Sequence, residues 1–253
     1  MKKYVKQILL CSLLLIALAC PVQAAEKLII VRGQDFPPYH YLDEKGVEKG
    51  FEIEIIIEVA RLLGTTVSFK QYPWSRCINM VEKGYADAMM NLFKTKNRET
   101  FLHFDDSILC YETNTFFTLK TTNLSYSGDI KTMTAYKIGT IRNYSYGKRF
   151  DAVHFPLNYQ METEQELIKS LINKRCEVII GNNLTLQILL NQTGLQDKIK
   201  ALKPDVSKDP LYIGFSKVRG HKAFSKAFSE KLNQFKTSEK YQKILRAYAL
   251  ENP

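Results

Sequence analysis

Apolar and polar positions follow two rhythms along the chain. Residues 27–31 form a short β-rich run, and residues 67–72 alternate apolar with polar as a half-buried strand does. Between them, apolar residues at 51, 55, 56, 59, 60, 62 and 63 share one helical face, and Gly64 offers a C-terminal stop. Pro37 and Pro38 lack donors, so the stretch from Gly33 to Tyr39 cannot be helix. Residues 75–83 predict a helix ended by Gly84, and residues 86–91 a short apolar strand.

The alternation then returns. Residues 135–141 read as a strand, and residues 163–174 as a helix with Leu167, Ile168, Leu171 and Ile172 on one face. Residues 178–180 read as a buried strand before Gly181, residues 184–190 as a helix, and residues 211–215 as a strand. Residues 221–250 predict helix in two pieces, broken near residues 236–238. Strands alternating with helices predict an α/β class with largely parallel sheets. The likeness of blocks 51–91 and 163–190 predicts two such lobes.

Residues 1–24 read as an export signal. Three lysines precede an apolar run over residues 8–20, and Pro21-Val22-Gln23-Ala24 supplies small residues for cleavage before Ala25. The run is shorter than the ~20 residues a bilayer-spanning helix needs. A second reading is a lipoprotein with Leu18-Ala19-Cys20 at the lipidated site. Either way the expected compartment lies outside the cytoplasmic membrane, most simply the periplasm.

The chain has 253 residues, 45% hydrophobic and 25% charged, which excludes disorder and low complexity. The charge is +10, from 36 basic and 26 acidic residues. After the leader, basic residues are scattered and never more than two in a row, so nucleic acid is not an expected partner. Cys77, Cys110 and Cys176 follow the leader, enough for one bridge and one thiol, with no CxxC pair. His40, His103, His154 and His221 fall at no metal-ligand spacing. No metal and no cofactor are expected.

One ordered set of motifs carries a family resemblance. It runs Phe36-Pro37-Pro38-Tyr39, Gly50-Phe51, Pro73-Trp74-Ser75-Arg76, Glu82-Lys83-Gly84-Tyr85-Ala86-Asp87-Ala88, Lys94-Thr95-Lys96-Asn97-Arg98-Glu99, then Lys137-Ile138-Gly139-Thr140 and Glu177-Val178-Ile179-Ile180-Gly181. Together these resemble the family 3 extracellular solute-binding proteins, the periplasmic amino-acid-binding proteins of ABC importers. The resemblance implies a type II periplasmic binding protein fold: two α/β lobes joined by two hinge strands, with ligand held between. It places lobe 1 at residues 25–116 plus 216–253 and lobe 2 at residues 117–215, with crossings near residues 116–120 and 212–217.

The resemblance also proposes a site. Arg98 matches the arginine that holds the ligand α-carboxylate, a role suited to a guanidinium that donates two parallel hydrogen bonds. Phe36 and Trp74 match aromatic walls of the pocket. Asp35, beside them, could reach the ligand or cap its turn, and Arg76 follows in the Trp74 motif. In the second lobe the stretch from Thr140 to Ser145 is expected to open a helix, whose N–H groups with Arg142 would attract an anion. Asn143 stands where many relatives have Gly. Asn182 stands where relatives that bind α-amino acids carry the Asp that pairs with the ammonium.

Three arginines and an uncharged Asn182 imply a cleft that favours anionic ligands, with Asp35 and Glu112 the acids that could reverse this. The expected function is capture of a small polar, carboxylate-bearing solute by a monomer that hands it to an ABC permease. The alternatives are a sensor of the same fold, or an enzyme such as the cyclohexadienyl dehydratases that resemble these proteins.

Overall fold

The computed structural model describes residues 27–248 and residue 250. The leader and its cleavage site lie outside the described residues. The first lobe opens with strand β1 (Lys27–Arg32), helix α1 (Phe51–Leu62), β2 (Thr66–Gln71), α2 (Trp74–Glu82) and β3 (Ala88–Leu92). The long strand β4 (Cys110–Leu119) leads to β5 (Ile138–Ile141), α3 (Lys148–Asp151), β6 (Asn158–Met161), α4 (Glu164–Ile172), β7 (Val178–Asn182), α5 (Asn183–Gln192) and β8 (Ile199–Ala201). A second long strand, β9 (Ser207–Ser216), returns the chain to α6 (Lys222–Lys236) and α7 (Glu239–Ala247).

Residue parity decides which face of each strand meets which helices, because successive side chains point to opposite faces. In the first lobe Ile30, Ala88 and Met90 pack with Phe51, Ile55 and Val59 of α1 and with Phe228, Leu232 and Tyr241 of the C-terminal helices. Val31 and Met89 face the other way and pack with Trp74, Cys77 and Val81 of α2, and Leu92 joins them because the positive φ of Asn91 breaks the alternation before it. The second lobe repeats the scheme. Phe116, Ile138, Val178 and Ile180 meet Ile130, Tyr146 and Phe150 on one face. Phe117, Ile141 and Ile179 meet Leu167 and Leu171 of α4 and Leu186 and Leu190 of α5 on the other. Each Val, Leu, Ile, Phe or Met side chain among these contributes about 1.5–3 kcal/mol when fully buried.

The strand order is β2-β1-β3-β9-β4-β7-β5-β6, with β8 also pairing β4. Pairs β1–β2, β1–β3, β7–β5 and β5–β6 are parallel, as the βα alternation requires. The two long strands are antiparallel and pass from one lobe to the other. Residues Ser207 to Leu211 of β9 pair with Asn114 to Cys110 of β4, whereas Tyr212, Gly214 and Phe215 pair with β3. On β4, residues Asn114 to Phe117 pair with β7. The strands therefore change sheet at residues 110–114 and 207–211, a few residues before the crossings expected at 116–120 and 212–217. Phe116 and Phe117 already sit in second-lobe cores.

One local expectation is corrected, and one open question is answered. No helix opens at residues 140–145: Asn143 turns the chain at φ 61, and regular helix begins only at Lys148 after Gly147. Cys77, Cys110 and Cys176 are all buried free thiols, each within its own packing environment rather than paired.

Candidate functional site

The site forms where three first-lobe loops, the hinge strands and the β5–α3 loop converge. After β1, the chain folds back at Phe36, whose N–H donates to the His40 carbonyl at 2.7 Å. This packs the Phe36 ring against Tyr39, with centroids 5.1 Å apart. Pro73 precedes α2 and sets Trp74 at its first turn. After β3, residues 93–97 lead into a 3-10 turn, Arg98–Thr100, that turns Arg98 inward.

Arg98 is buried, yet among the described residues no carboxylate lies within ion-pair distance of it. Its Nη1 donates to the Phe93 carbonyl at 3.0 Å and its Nη2 to the Asn143 carbonyl at 3.2 Å. Its guanidinium carbon lies 5.5 Å from the Trp74 ring centroid. Burial lowers its pKa to about 10, so it stays charged at neutral pH. Trp74 Nε1 donates to the same Asn143 carbonyl at 3.1 Å, and its ring meets Tyr144 edge-on at 4.8 Å.

Phe36, Trp74, Asn91, Arg98, Glu112 and Tyr144 line one small cavity between the lobes, about 20 Å³ in volume. That is room for roughly one water. An open groove of about 640 Å³ adjoins it through Phe93 and Ser145, lined by Lys94, Lys96, Lys148, Asp151, Asp209 and Tyr212. The lobes meet around the cavity. Thr185 Oγ1 donates to the Pro37 carbonyl at 2.9 Å, and Asn182 Nδ2 to the Tyr39 hydroxyl at 3.0 Å.

Acid groups stand behind and within this cavity. Glu112, on β4, is buried, and burial pushes its carboxyl up to about 8 against the opposing effect of an Asn182 hydrogen bond. Glu164 starts α4 and is pushed up to about 7 by burial, and it accepts from the Tyr144 hydroxyl at 3.2 Å. Glu52 is fully buried but well supplied with donors. Asn91 Nδ2 donates to it at 2.9 Å, Cys110 Sγ lies at 3.1 Å and His40 Nδ1 at 3.2 Å. Among the described residues, no group of three or more His, Cys, Asp or Glu is placed to hold a metal ion.

Of the expected site residues, Phe36, Trp74 and Arg98 line the cavity, and Asn143 contributes its backbone carbonyl. Four others do different work. Asp35 braces its loop, accepting from Arg32 Nη1, the Leu42 N–H and Gln71 Nε2, each at 3.2 Å. Arg76 is exposed and lies over the Tyr72 ring at 4.6 Å. Arg142 is exposed and pairs outward with Glu162 at 2.6 Å. Asn182 caps α5, its Oδ1 accepting from the Thr185 N–H at 2.9 Å. The expectation of an arginine-rich cleft is thus corrected: one arginine and one glutamate line the cavity. Tyr144 and Asn91 carried no sequence signal of their own, though Asn91 holds a positive φ of 58 at the end of β3.

The sequence profile of the bacterial extracellular solute-binding proteins, family 3, matches residues 28–251. A probable histidine-binding protein from Neisseria gonorrhoeae is 23% identical over 263 residues, covering 98% of this chain and 96% of that protein. Among solved structures, the arginine-, lysine-, histidine-binding protein ArtJ from Geobacillus stearothermophilus aligns with TM-score 0.75 at 17% identity, covering 90% of this chain and 97% of its own. A histidine kinase sensor domain with similarity to periplasmic binding proteins aligns with TM-score 0.76 at 15% identity, covering 90% and 99%.

Proposed function

The chain belongs to the bacterial extracellular solute-binding proteins, family 3, and we propose that it captures an α-amino acid between its lobes, with Arg98 holding the α-carboxylate. The observation that carries this reading is the buried guanidinium of Arg98, which faces a cavity and has carbonyls but no acid for partners. A buried, uncompensated charge is costly, and an incoming carboxylate relieves that cost with charge-assisted hydrogen bonds. Phe36 and Trp74 wall the same cavity and supply apolar and π contact to whatever the carboxylate carries.

Closure fits this role. Each hinge strand is shared between the sheets, so a small rotation about residues 110–114 and 207–211 opens the cleft without breaking either lobe's core. We place the protein in the periplasm, delivering its ligand to an ABC importer and binding without turnover. Histidine, arginine and lysine, the ligands named for its relatives, are the first probes.

A thermal-shift and calorimetric screen with these amino acids, glutamine and their carboxamides tests the reading. A free amino acid at 100 times its Kd stabilises by about 2.7 kcal/mol. The carboxamides should bind far more weakly, and Arg98→Ala should remove binding. Equal binding of amino acids and carboxamides would overturn the assignment.

A further inference from the structure

Building on the reading of Arg98 as the carboxylate site, we infer that Glu112 is the acceptor for the ligand's ammonium, and that docking of the ammonium expels a proton from this site.

The argument begins with the shape of an α-amino acid. Its carboxylate and ammonium sit on one carbon, so the two protein partners must face the same small space. Arg98 and Glu112 both line the 20 Å³ cavity. The other candidate acids fail on geometry. Glu52 is already occupied by three donors. Glu164 accepts from the Tyr144 hydroxyl and does not line the cavity. Asp151 accepts from the Ser145 hydroxyl and the Tyr146 N–H and is exposed, and Asp35 is held in its own loop. Asn182 carries no charge, and its amide serves the α5 N-terminus and Tyr39.

Glu112 itself is buried without a cationic partner. Among the described residues no Lys, Arg or His lies within ion-pair distance of it. The titratable and polar groups around it are Glu164 from α4, Glu52 from α1, Asp209 from β9, the Asn182 amide from β7, Tyr144 and Tyr146 from the β5–α3 loop and Cys110 from its own strand, with the Arg98 guanidinium and the Tyr39 hydroxyl nearby. Three of these are carboxyl groups, which favour the protonated carboxyl in the empty cleft. A docked ammonium reverses that balance, and the proton leaves to solvent as the pair forms. Binding therefore releases a proton wherever Glu112 is protonated in the empty protein, and affinity rises with pH up to about 8.

The test is calorimetric titration of wild type, Glu112→Gln and Arg98→Ala with L-histidine, L-arginine and L-glutamine. The desamino counterparts imidazolepropionate, 5-guanidinopentanoate and glutaramate are run beside them. Near neutral pH, in two buffers of different ionisation enthalpy, wild type should release close to one proton per amino acid. It should also prefer the amino acid over its desamino partner about tenfold or more. Glu112→Gln should lose that preference and the proton release while keeping its affinity for the desamino acid. Retention of both in Glu112→Gln would overturn the assignment.

If Glu112→Gln fails to fold by circular dichroism, Glu112→Asp serves instead. It should keep the proton release with weakened affinity, and unchanged affinity would count against the proposal. Arg98→Ala separates the two readings. If it binds normally while Glu112→Gln does not, the carboxylate assignment fails and the ammonium site stands. If none of the three amino acids binds wild type, both fail together.

Discussion

The Asn143 carbonyl of one lobe accepts a hydrogen bond from the Arg98 guanidinium of the other at 3.2 Å. Trp74 Nε1 donates to the same oxygen at 3.1 Å. One backbone oxygen thus ties together two of the cavity's first-lobe walls. It can do so because Asn143 sits at φ 61, which turns its carbonyl toward the cleft. A ligand carboxylate carries a full charge where this carbonyl carries a partial one, so it competes well for Arg98.

The left-handed turn at Asn143 should be sensitive to side-chain shape. Asn and Gly accept this conformation, whereas a β-branched residue does not. Asn143→Gly should therefore keep its fold and its amino-acid affinity. Asn143→Val is expected to lose about 1–2 kcal/mol of stability and to weaken binding, because its carbonyl is turned away from Arg98 and Trp74. Thermal denaturation with parallel titrations measures both. Equal behaviour of the two variants would show that the turn does not matter.

Arg76 and Arg142 provide a contrasting case. Both are exposed, and Arg142 spends its charge on Glu162 at 2.6 Å, outside the cleft. Exposed pairs of this kind contribute about 0–1 kcal/mol. Arg76→Ala and Arg142→Ala should leave amino-acid affinity within about twofold of wild type and stability within the same small range. A tenfold loss of affinity in either variant, read by calorimetry, would place that arginine back in the site.

The contrast also shows what the sequence could and could not convey. The α/β rhythm was legible because burial follows parity. Ile30 and Val31, or Met89 and Met90, face opposite cores, and each strand's alternation records that. Arg98, Trp74 and Phe36 were legible through the family resemblance that their motifs carry, with Pro73 and Pro37-Pro38 marking the loops beside Trp74 and Phe36. Arg142 was misplaced because its direction depends on a partner, Glu162, twenty positions on, and on a turn where a helix was expected. The free state of the cysteines was equally hidden. Cys110 donates to Glu52, and Cys77 to the Arg32 carbonyl, in pockets that no spacing rule describes.

Gly50 carries a backbone demand that shapes one wall of the site. It holds φ 117 at the start of α1, and a Cβ there would stand 2.2 Å from the Tyr39 carbonyl oxygen. That obstacle is backbone and cannot rotate away. Tyr39 packs on both Phe36 and Phe51, so the displacement would reach the cavity wall and the core together. Gly50→Ala is expected to lower stability by about 3 kcal/mol or more, measured by urea denaturation. Loss of less than about 1 kcal/mol would mean that the loop re-forms freely.

Buried acids should leave a signature in the stability of the empty protein. Burial raises Glu112 to about 8 and Glu164 to about 7, from an ordinary value of 4.5. Both bind protons more tightly folded than unfolded. Their stabilising contribution is complete below the ordinary glutamate range, and it is lost as pH rises toward 7 and 8. Glu58 works in the opposite sense. Hydrogen bonds from Arg61 lead the causes that lower it to about 2, with Lys240 adding to them, so its contribution is present above 4.5 and lost as pH falls toward 2. Asp87 is also lowered, against its burial, by the Ile29 N–H, His221 and Arg219, and it acts in the same direction. The melting temperature of the ligand-free protein should therefore peak on the mildly acid side. It should fall by at least about 3 °C between pH 5.5 and pH 8.5. Replacing both acids, Glu112→Gln with Glu164→Gln, should flatten the alkaline limb and leave the acid limb set by Glu58 and Asp87 in place. Differential scanning fluorimetry across this range reads the effect. An alkaline limb as steep in the double variant as in wild type would show that neither carboxyl holds its proton in the folded protein.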